Sequence, residues 1–288
     1  KRIMVLMVPA LFGVSVSQIN LLLDTVLASL LPTGSVSWLY YSDRLTELPL
    51  GVFAIAIATV ILPTLSGQRA RADDPAFAST LSWAIRSVLL IAIPATAALA
   101  VLAEPLLATL FQYGAFSGDD RAMAAASLRA YTLGLGAFML VKALAPGFYA
   151  REDMRTPVRI GIIAMVANMV LNVAFVFPLM WWLNLGHVGL ALATSVSAWL
   201  NALLLFRGLR RDAVLPHGSL PFKWLVQVTA ATAAMLAILL WLMPDHAMWA
   251  EWLWWQRAGQ LGILCSAGLG VFGVSLLCCG VRPADLRR

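Results

Sequence analysis

Three ionisable residues stand close together in an otherwise apolar stretch: Asp43, Arg44 and Glu47. On a helix, the three-residue spacing places Arg44 and Glu47 on one face, where they can form an ion pair. Charges at membrane depth are costly, and they usually face a polar cavity or pair with one another. Pro49 follows and should bend the helix. We therefore predict a buried cluster in the wall of a polar cavity; the alternative is a self-neutralising structural pair.

A second set of polar residues also lies within apolar runs. Asp24 stands alone in the first run, and Asn168 and Asn172 are four residues apart, so they share a helix face. Thr194 lies in a later run. A carboxylate, amide carbonyls and a hydroxyl are oxygen ligands for a hard cation. Interhelical hydrogen bonding is the alternative. Lys142 is a further charge in an apolar run, and its long side chain could reach the membrane surface.

The composition excludes an ordinary soluble protein. Of the 288 residues, 61% are hydrophobic and only 12% are charged, and the mean hydropathy is +0.85. Soluble domains are about 45–50% apolar and about 25% charged. A chain this apolar cannot cover its surface with polar groups, so we expect lipid to be its solvent.

The apolar runs predict eight membrane-spanning helices, because a span needs about 20 apolar residues. The uncharged stretch Ile160–Phe206 is too long for one span, and Pro178, Asn184 and Gly186 predict a break within it. Backbone groups in lipid must be satisfied internally, so the spans should be helices and the fold all-α. The predicted spans cover residues 3–31, 35–65, 77–103, 122–150, 157–178, 187–207, 223–243 and 257–281.

Basic residues are distributed unequally between the two sides of this arrangement. Fourteen Lys and Arg fall on the side that holds both termini, two fall on the other side, and four lie within the spans. Basic loops favour the cytoplasm, so both termini should be cytoplasmic. The net charge of +6 is thereby explained by topology, and we expect no nucleic-acid partner.

Motifs for soluble enzyme chemistry are weak. Gly268, Gly270 and Gly273 spell G-x-G-x-x-G, but they lie in an uncharged apolar run without the strand and helix of a dinucleotide site. Small residues that permit close helix packing explain them better. The sequence contains no Walker loop and no G-x-S-x-G element. Nothing in these motifs suggests an ATPase or a hydrolase, and we expect that the chain is not an enzyme.

The segments YYSDRLTELPLG and APGFYAREDMRTP closely resemble those of the MurJ (MviN) lipid II flippases of bacteria, and LFQYGAF does so as well. These flippases belong to the multidrug/oligosaccharidyl-lipid/polysaccharide exporter superfamily. The resemblance covers essentially the whole chain and implies the last eight of fourteen helices. Residues 1–210 would be the six-helix C-terminal lobe and residues 211–288 two additional helices. An N-terminal lobe would be a partner outside this chain.

The resemblance implies a function and roles for the residues above. The family moves lipid II, the undecaprenyl-pyrophosphate-linked peptidoglycan precursor, across the inner membrane by alternating access. Arg44 matches a cavity arginine that contacts the pyrophosphate, beside acidic positions matched by Asp43 and Glu47. The resemblance assigns no role to Lys142, but as a further charge in an apolar run it is expected to join them in binding the substrate. The last two helices would border a groove for the lipid tail.

Sodium as a coupling ion is also implied by the resemblance. Some relatives hold sodium at places similar to Asp24, Asn168, Asn172 and Thr194. One relative's site has a carboxylate where this sequence has Asn172.

Two other functions remain open from the sequence. A cation-coupled drug antiporter of the same superfamily would share the cytoplasmic loop with its Thr156–Pro157 pair. A membrane scaffold in cell-wall assembly is the other alternative, and the charged cluster around Arg44 argues against it.

Overall fold

The computed structural model describes residues 18–215, 221–245 and 248–281. These residues form helices and turns, with no β-strand among them. A five-residue π-helical segment, Leu50–Ala54, joins the second helix to the third. In chain order the helices are α1 (helical over residues 18–29), α2 (Ser35–Pro49), α3 (Ile55–Ala70), α4 (Asp74–Val101), α5 (Ala103–Leu110), α6 (Gly118–Tyr149), α7 (Arg155–Leu183), α8 (Gly186–Arg211), α9 (Phe222–Leu242), α10 (Met248–Glu251) and α11 (Trp254–Cys278).

Seven helical stretches of the described residues are long and apolar enough to cross a membrane, with α2, the π-helical segment and α3 counted as one. They match the second to the eighth predicted spans and confirm an all-α polytopic membrane protein. Residues 3–17 of the first predicted span, 3–31, lie outside the described residues, and residues 18–29 of it are helical. The short helices α5 and α10 were not predicted.

Pro178 does not end a helix, so the predicted end of the fifth span at residue 178 is five residues too early. It lies inside α7, which continues to Leu183. A proline removes one backbone donor, and membrane helices tolerate this loss because neighbouring groups satisfy the freed carbonyl. The predicted break is confirmed at the other two residues, since α7 ends before Asn184, whose φ of 59° is left-handed, and α8 begins at Gly186.

Polar side chains fix the start of two helices. Ser117 Oγ accepts a hydrogen bond from the Asp120 backbone N–H over 3.2 Å, and Asp120 Oδ2 accepts one from the Ser117 N–H over 2.8 Å. This reciprocal pair satisfies backbone donors at the start of α6. Asp73 does the same for α4 by accepting from the Ala76 N–H over 3.1 Å.

Helix α6 lies at the centre of the bundle and packs against α2, α3, α4, α5 and α8. Close approach between helices depends on small residues. A Cβ added at Gly134 would lie 2.7 Å from Ser195 Cα in α8, and one added at Gly189 would lie 2.9 Å from the α7 backbone. Helices α9 and α11 pack on each other and contact α4 and α5. The domain division at residue 210 remains a prediction.

Candidate functional site

Arg44 and Glu47 form an ion pair on the outer face of α2. Arg44 Nη1 lies 2.6 Å from Glu47 Oε2, and the two side chains are 52% and 49% exposed. The Arg44 guanidinium carbon lies 4.9 Å from the centroid of the Tyr40 ring. A guanidinium carries five N–H donors in a planar fork. The pair therefore holds a charged group in place while leaving donors accessible to an anion.

The packing of α2 on α6 determines where these charges point. Ser42 Oγ donates to the Ala124 carbonyl over 2.7 Å. Leu45 and Thr46 are buried, and Leu45 belongs to an apolar cluster with Ala124. Successive helical residues are about 100° apart. Because residues 42, 45 and 46 lie on the side of α2 that packs on α6, Arg44 must face away from α6.

The expectation that the charged cluster is buried is wrong for two of its members within this chain. Arg44 and Glu47 are exposed, and Asp43, at the side of the contact with α6, is partly buried. The length of the apolar runs identified the spans but not which faces of α2 other helices cover. The prediction that this cluster lines a cavity stays a prediction.

The bend at Pro49 stays a prediction, and a π-helical turn begins at the next residue. The segment Leu50–Ala54 follows Pro49 directly, and the Ile55 N–H donates to the Leu50 carbonyl. Each hydrogen bond of such a turn reaches one residue further than in an α-helix, and π-turns occur often at functional sites. The turn begins one helical turn beyond the Arg44–Glu47 pair.

The structure brings the second set of polar residues together between α1, α7 and α8. Asn172 Nδ2 donates to Asp24 Oδ1 over 2.7 Å and to Asn168 Oδ1 over 3.2 Å. Asn168 Nδ2 lies 3.4 Å from Thr194 Oγ1. Both asparagines are 1% exposed. Asn20, which the predicted site omitted, donates to Asp24 Oδ2 over 3.2 Å. Its four-residue spacing from Asp24 could have indicated in the sequence that the two side chains share a helix face.

This polar cluster is rich in oxygen atoms. Asn172 Oδ1 is buried and has no hydrogen-bond partner among the described residues. If the Asn168 amide is turned over, its nitrogen can donate to Asp24 Oδ1 over 3.2 Å and its oxygen can accept from the Thr194 N–H over 3.2 Å. A carboxylate, two amide oxygens and a hydroxyl therefore lie close together. Such a set can form a hydrogen-bond network or surround a small cation.

Lys142 lies far from the Arg44–Glu47 pair but faces the same side of α6 as α2 does. The Ser42–Ala124 hydrogen bond sets the register of α2 against α6. Lys142 is eighteen residues beyond Ala124, which is about five helical turns and about 27 Å. The structure leaves the lysine exposed. It would meet a ligand at a different depth from Arg44.

Comparison with known proteins shows which family the chain resembles. A family profile described as lipid II flippase MurJ matches residues 1–255. The probable lipid II flippase MurJ of Vibrio cholerae is 52% identical over 287 residues, which are 99% of this chain and 53% of that protein. The corresponding protein of Haemophilus influenzae is 48% identical over 99% of this chain and 56% of its own length. This chain thus spans about half the length of these relatives.

Solved structures give the same picture of the fold. A lipid II flippase MurJ in an inward closed conformation is similar with a TM-score of 0.74 and 25% identity, over 91% of this chain and 51% of that one. An outward-facing multidrug transporter of the MATE family is similar with a TM-score of 0.57 and 17% identity, over 96% of this chain and 64% of that one. At that identity the second likeness concerns the fold alone.

Proposed function

The chain belongs to the lipid II flippase MurJ family, and from this membership we propose that it forms part of a flippase for lipid II. The substrate is an undecaprenyl-pyrophosphate carrying a disaccharide-pentapeptide. It moves from the cytoplasmic to the periplasmic leaflet of the bacterial inner membrane by alternating access. An N-terminal lobe completes the transporter on the side of α1 and α2.

The observation that carries this proposal is the half-exposed Arg44 guanidinium. Arg44 is nine residues into α2, about 13 Å along the helix from Ser35. A pyrophosphate that crosses the bilayer loses water and needs charge-assisted hydrogen bonds in exchange. Arginine can donate two parallel hydrogen bonds to phosphate oxygens.

The acidic neighbours of Arg44 support this role in the absence of substrate. Glu47 pairs with the guanidinium, which lowers the cost of a charge at membrane depth. When pyrophosphate binds, its oxygens replace the Glu47 carboxylate as the partner of the Arg44 guanidinium. The neighbouring negative charge of Asp43 helps to keep the arginine in the site. Lys142 supplies a second cationic contact nearer the cytoplasmic end of the path. The substrate would thereby meet positive charge at two depths.

We infer that the polar cluster around Asp24 binds sodium as a coupling ion. The proposed ligands are oxygen atoms of Asp24, Asn168, Asn172 and Thr194. The partnerless Asn172 Oδ1 supports this inference, because a buried acceptor without a hydrogen bond is costly. The ion would draw α1, α7 and α8 together.

The proposed function is transport without covalent chemistry. Both termini of this chain would be cytoplasmic, in accord with the asymmetry of basic residues. Helices α9 and α11 would border the path of the lipid tail.

Complementation of a flippase-depleted strain with the full-length protein tests the role of Arg44. With Arg44→Ala, the protein should accumulate normally but fail to support growth. Arg44→Lys keeps the charge and loses the planar fork, so it should restore growth only in part. Immunoblots of the membrane fraction accompany each assay.

Arg69→Ala is the matched control, because it also breaks a largely exposed ion pair, with Asp74. It should support normal growth. Normal growth of Arg44→Ala at normal expression would contradict the substrate role. Loss of growth together with loss of protein would instead make Arg44 a structural residue.

A further inference from the structure

Arg129 and Glu104 form a second ion pair within the apolar part of the bundle. Arg129 Nη2 lies 2.9 Å from Glu104 Oε1, and the side chains are 44% and 20% exposed. Arg129 Nε also donates to the Ala100 carbonyl over 3.3 Å. The proposed flipping path does not use this pair. Charges at membrane depth usually have a function or a partner, and here the partnered cation is still accessible.

The pair lies on the side of the bundle opposite to α2. Arg129 is five residues beyond Ala124, the contact point of α2, so it is turned about 140° away from that contact. The next position, Ala130, accepts a hydrogen bond from Ser195 of α8. Arg129 therefore occupies the strip of α6 between α5 and α8. This strip faces the outside of the bundle, away from the Arg44–Glu47 pair.

Apolar side chains continue this strip along the membrane. Leu133 is one turn beyond Arg129 and 58% exposed, and in α8 Val196 and Trp199 are 44% and 38% exposed. The Trp199 ring is fixed by a hydrogen bond from Nε1 to the Leu133 carbonyl over 2.8 Å. The result is a charged pair at one end of an apolar surface that is open to lipid.

The pair lies close to one membrane interface. Arg257 Nη1 donates to the Ala108 carbonyl over 2.9 Å, one helical turn along α5 from Glu104. Arg257 follows Trp254 and Trp255, which are 66% and 56% exposed, and exposed tryptophans concentrate at membrane interfaces. Glu104 is therefore about 6 Å below this level, within reach of a lipid headgroup.

We propose that Arg129 and Glu104 bind the headgroup of a zwitterionic aminophospholipid. The phosphate accepts hydrogen bonds from Arg129, and the ammonium donates to the Glu104 carboxylate. The acyl chains lie along Leu133, Val196 and Trp199. This lipid is a component of the surrounding membrane, distinct from the transported substrate.

Charge complementarity selects this class of lipid. The Arg129 contacts to Glu104 and Ala100, within the described part of the chain, use two of the five N–H donors of a guanidinium. Carboxylate oxygens accept more than one hydrogen bond each. An anionic headgroup would satisfy Arg129 but be repelled by Glu104. A headgroup with both charges matches both members of the pair.

Native mass spectrometry of the delipidated full-length protein, titrated with phosphatidylethanolamine or phosphatidylglycerol, tests the proposal. The wild type should bind phosphatidylethanolamine more tightly. Arg129→Gln removes charge-assisted hydrogen bonds and should weaken that binding about tenfold. Glu104→Gln should reverse the preference, because Arg129 then attracts an anionic lipid without an opposing carboxylate. Arg69→Gln, at a separate exposed ion pair, should behave as the wild type.

Equal binding of phosphatidylethanolamine by the wild type and Arg129→Gln would overturn the proposal, as would a wild-type preference for phosphatidylglycerol. If Arg129→Gln does not accumulate, Glu104→Gln decides, since an unchanged lipid preference in that variant also contradicts the site. Because lipid binding is measured without transport, failure of the flippase assignment would not affect the result.

Discussion

The side-chain nitrogen of Asn172 lies 2.7 Å from a carboxylate oxygen of Asp24, so one hydrogen bond joins α7 to α1 across 148 positions of the chain. A cation at this place would need oxygen atoms from both residues. Asn172 would then turn its Oδ1, which has no partner among the described residues, toward the ion. Ion binding and the present hydrogen bond are therefore alternatives for the same two side chains.

Sodium should stabilise the purified full-length protein, and Asp24→Asn should abolish that response. Removing the carboxylate removes the one formal negative charge among the four proposed ligands. At a sodium concentration one hundred times its Kd, binding stabilises the folded state by about 2.7 kcal/mol. The measurement is the thermal unfolding midpoint in sodium chloride against choline chloride.

Asp43→Asn is the control for this sodium experiment, because Asp43 lies in α2, outside the polar cluster. It should keep the wild-type sodium response. A sodium shift that persists at full size in Asp24→Asn would show that the ion binds elsewhere. A wild type with no difference between sodium and choline would remove the sodium site altogether.

Gly134→Ala should destabilise the contact between α6 and α8. The added Cβ would lie 2.7 Å from Ser195 Cα, so the two helices must move apart. Such overpacking costs about 1–3 kcal/mol. The expected result is a lower thermal midpoint in detergent, followed by loss of the monodisperse peak in gel filtration after heating. Gly161→Ala is the matched control, since its Cβ would meet nothing within 4 Å. Equal midpoints for the two variants would show that α8 adapts to the added methyl group.

Single cysteines at Ala70 and Ala115 should label from opposite sides of the membrane. Both positions are exposed in the structure. Cys265, Cys278 and Cys279 are first replaced by serine. In intact cells, an impermeant thiol reagent should reach position 115 and leave position 70 unlabelled until the cells are opened. Labelling of position 70 in intact cells would reverse the orientation inferred from the basic residues.

The sequence predicted much of the fold because lipid imposes a simple constraint on length and hydropathy. Apolar runs located the second to eighth spans with small errors at their ends. The predicted fifth span ends five residues too early, at Pro178, because a rule drawn from soluble helices does not apply in lipid. The prediction also missed α5, a short helix whose start depends on the break in α4 at Leu102.

Site residues were predictable to the extent that they share one helix. The four-residue spacing of Asn168 and Asn172 implied a common face, and in the structure they are in contact. Their contact with Asp24 depends on how α1 packs on α7, and helical periodicity does not predict how two helices pack. The exposure of Arg44 depends likewise on the side of α2 that contacts α6.

The π-helical turn at Leu50–Ala54 has a consequence for the comparison of related sequences. Its hydrogen bonds span one residue more than those of an α-helix, which amounts to one inserted position and a phase change of about 100° in α3 relative to α2. A helical wheel drawn continuously from Ser35 to Ala70 therefore misassigns the lipid-facing positions of α3. A homologue without the turn would align with this chain only through a one-residue gap, although neither helix has moved.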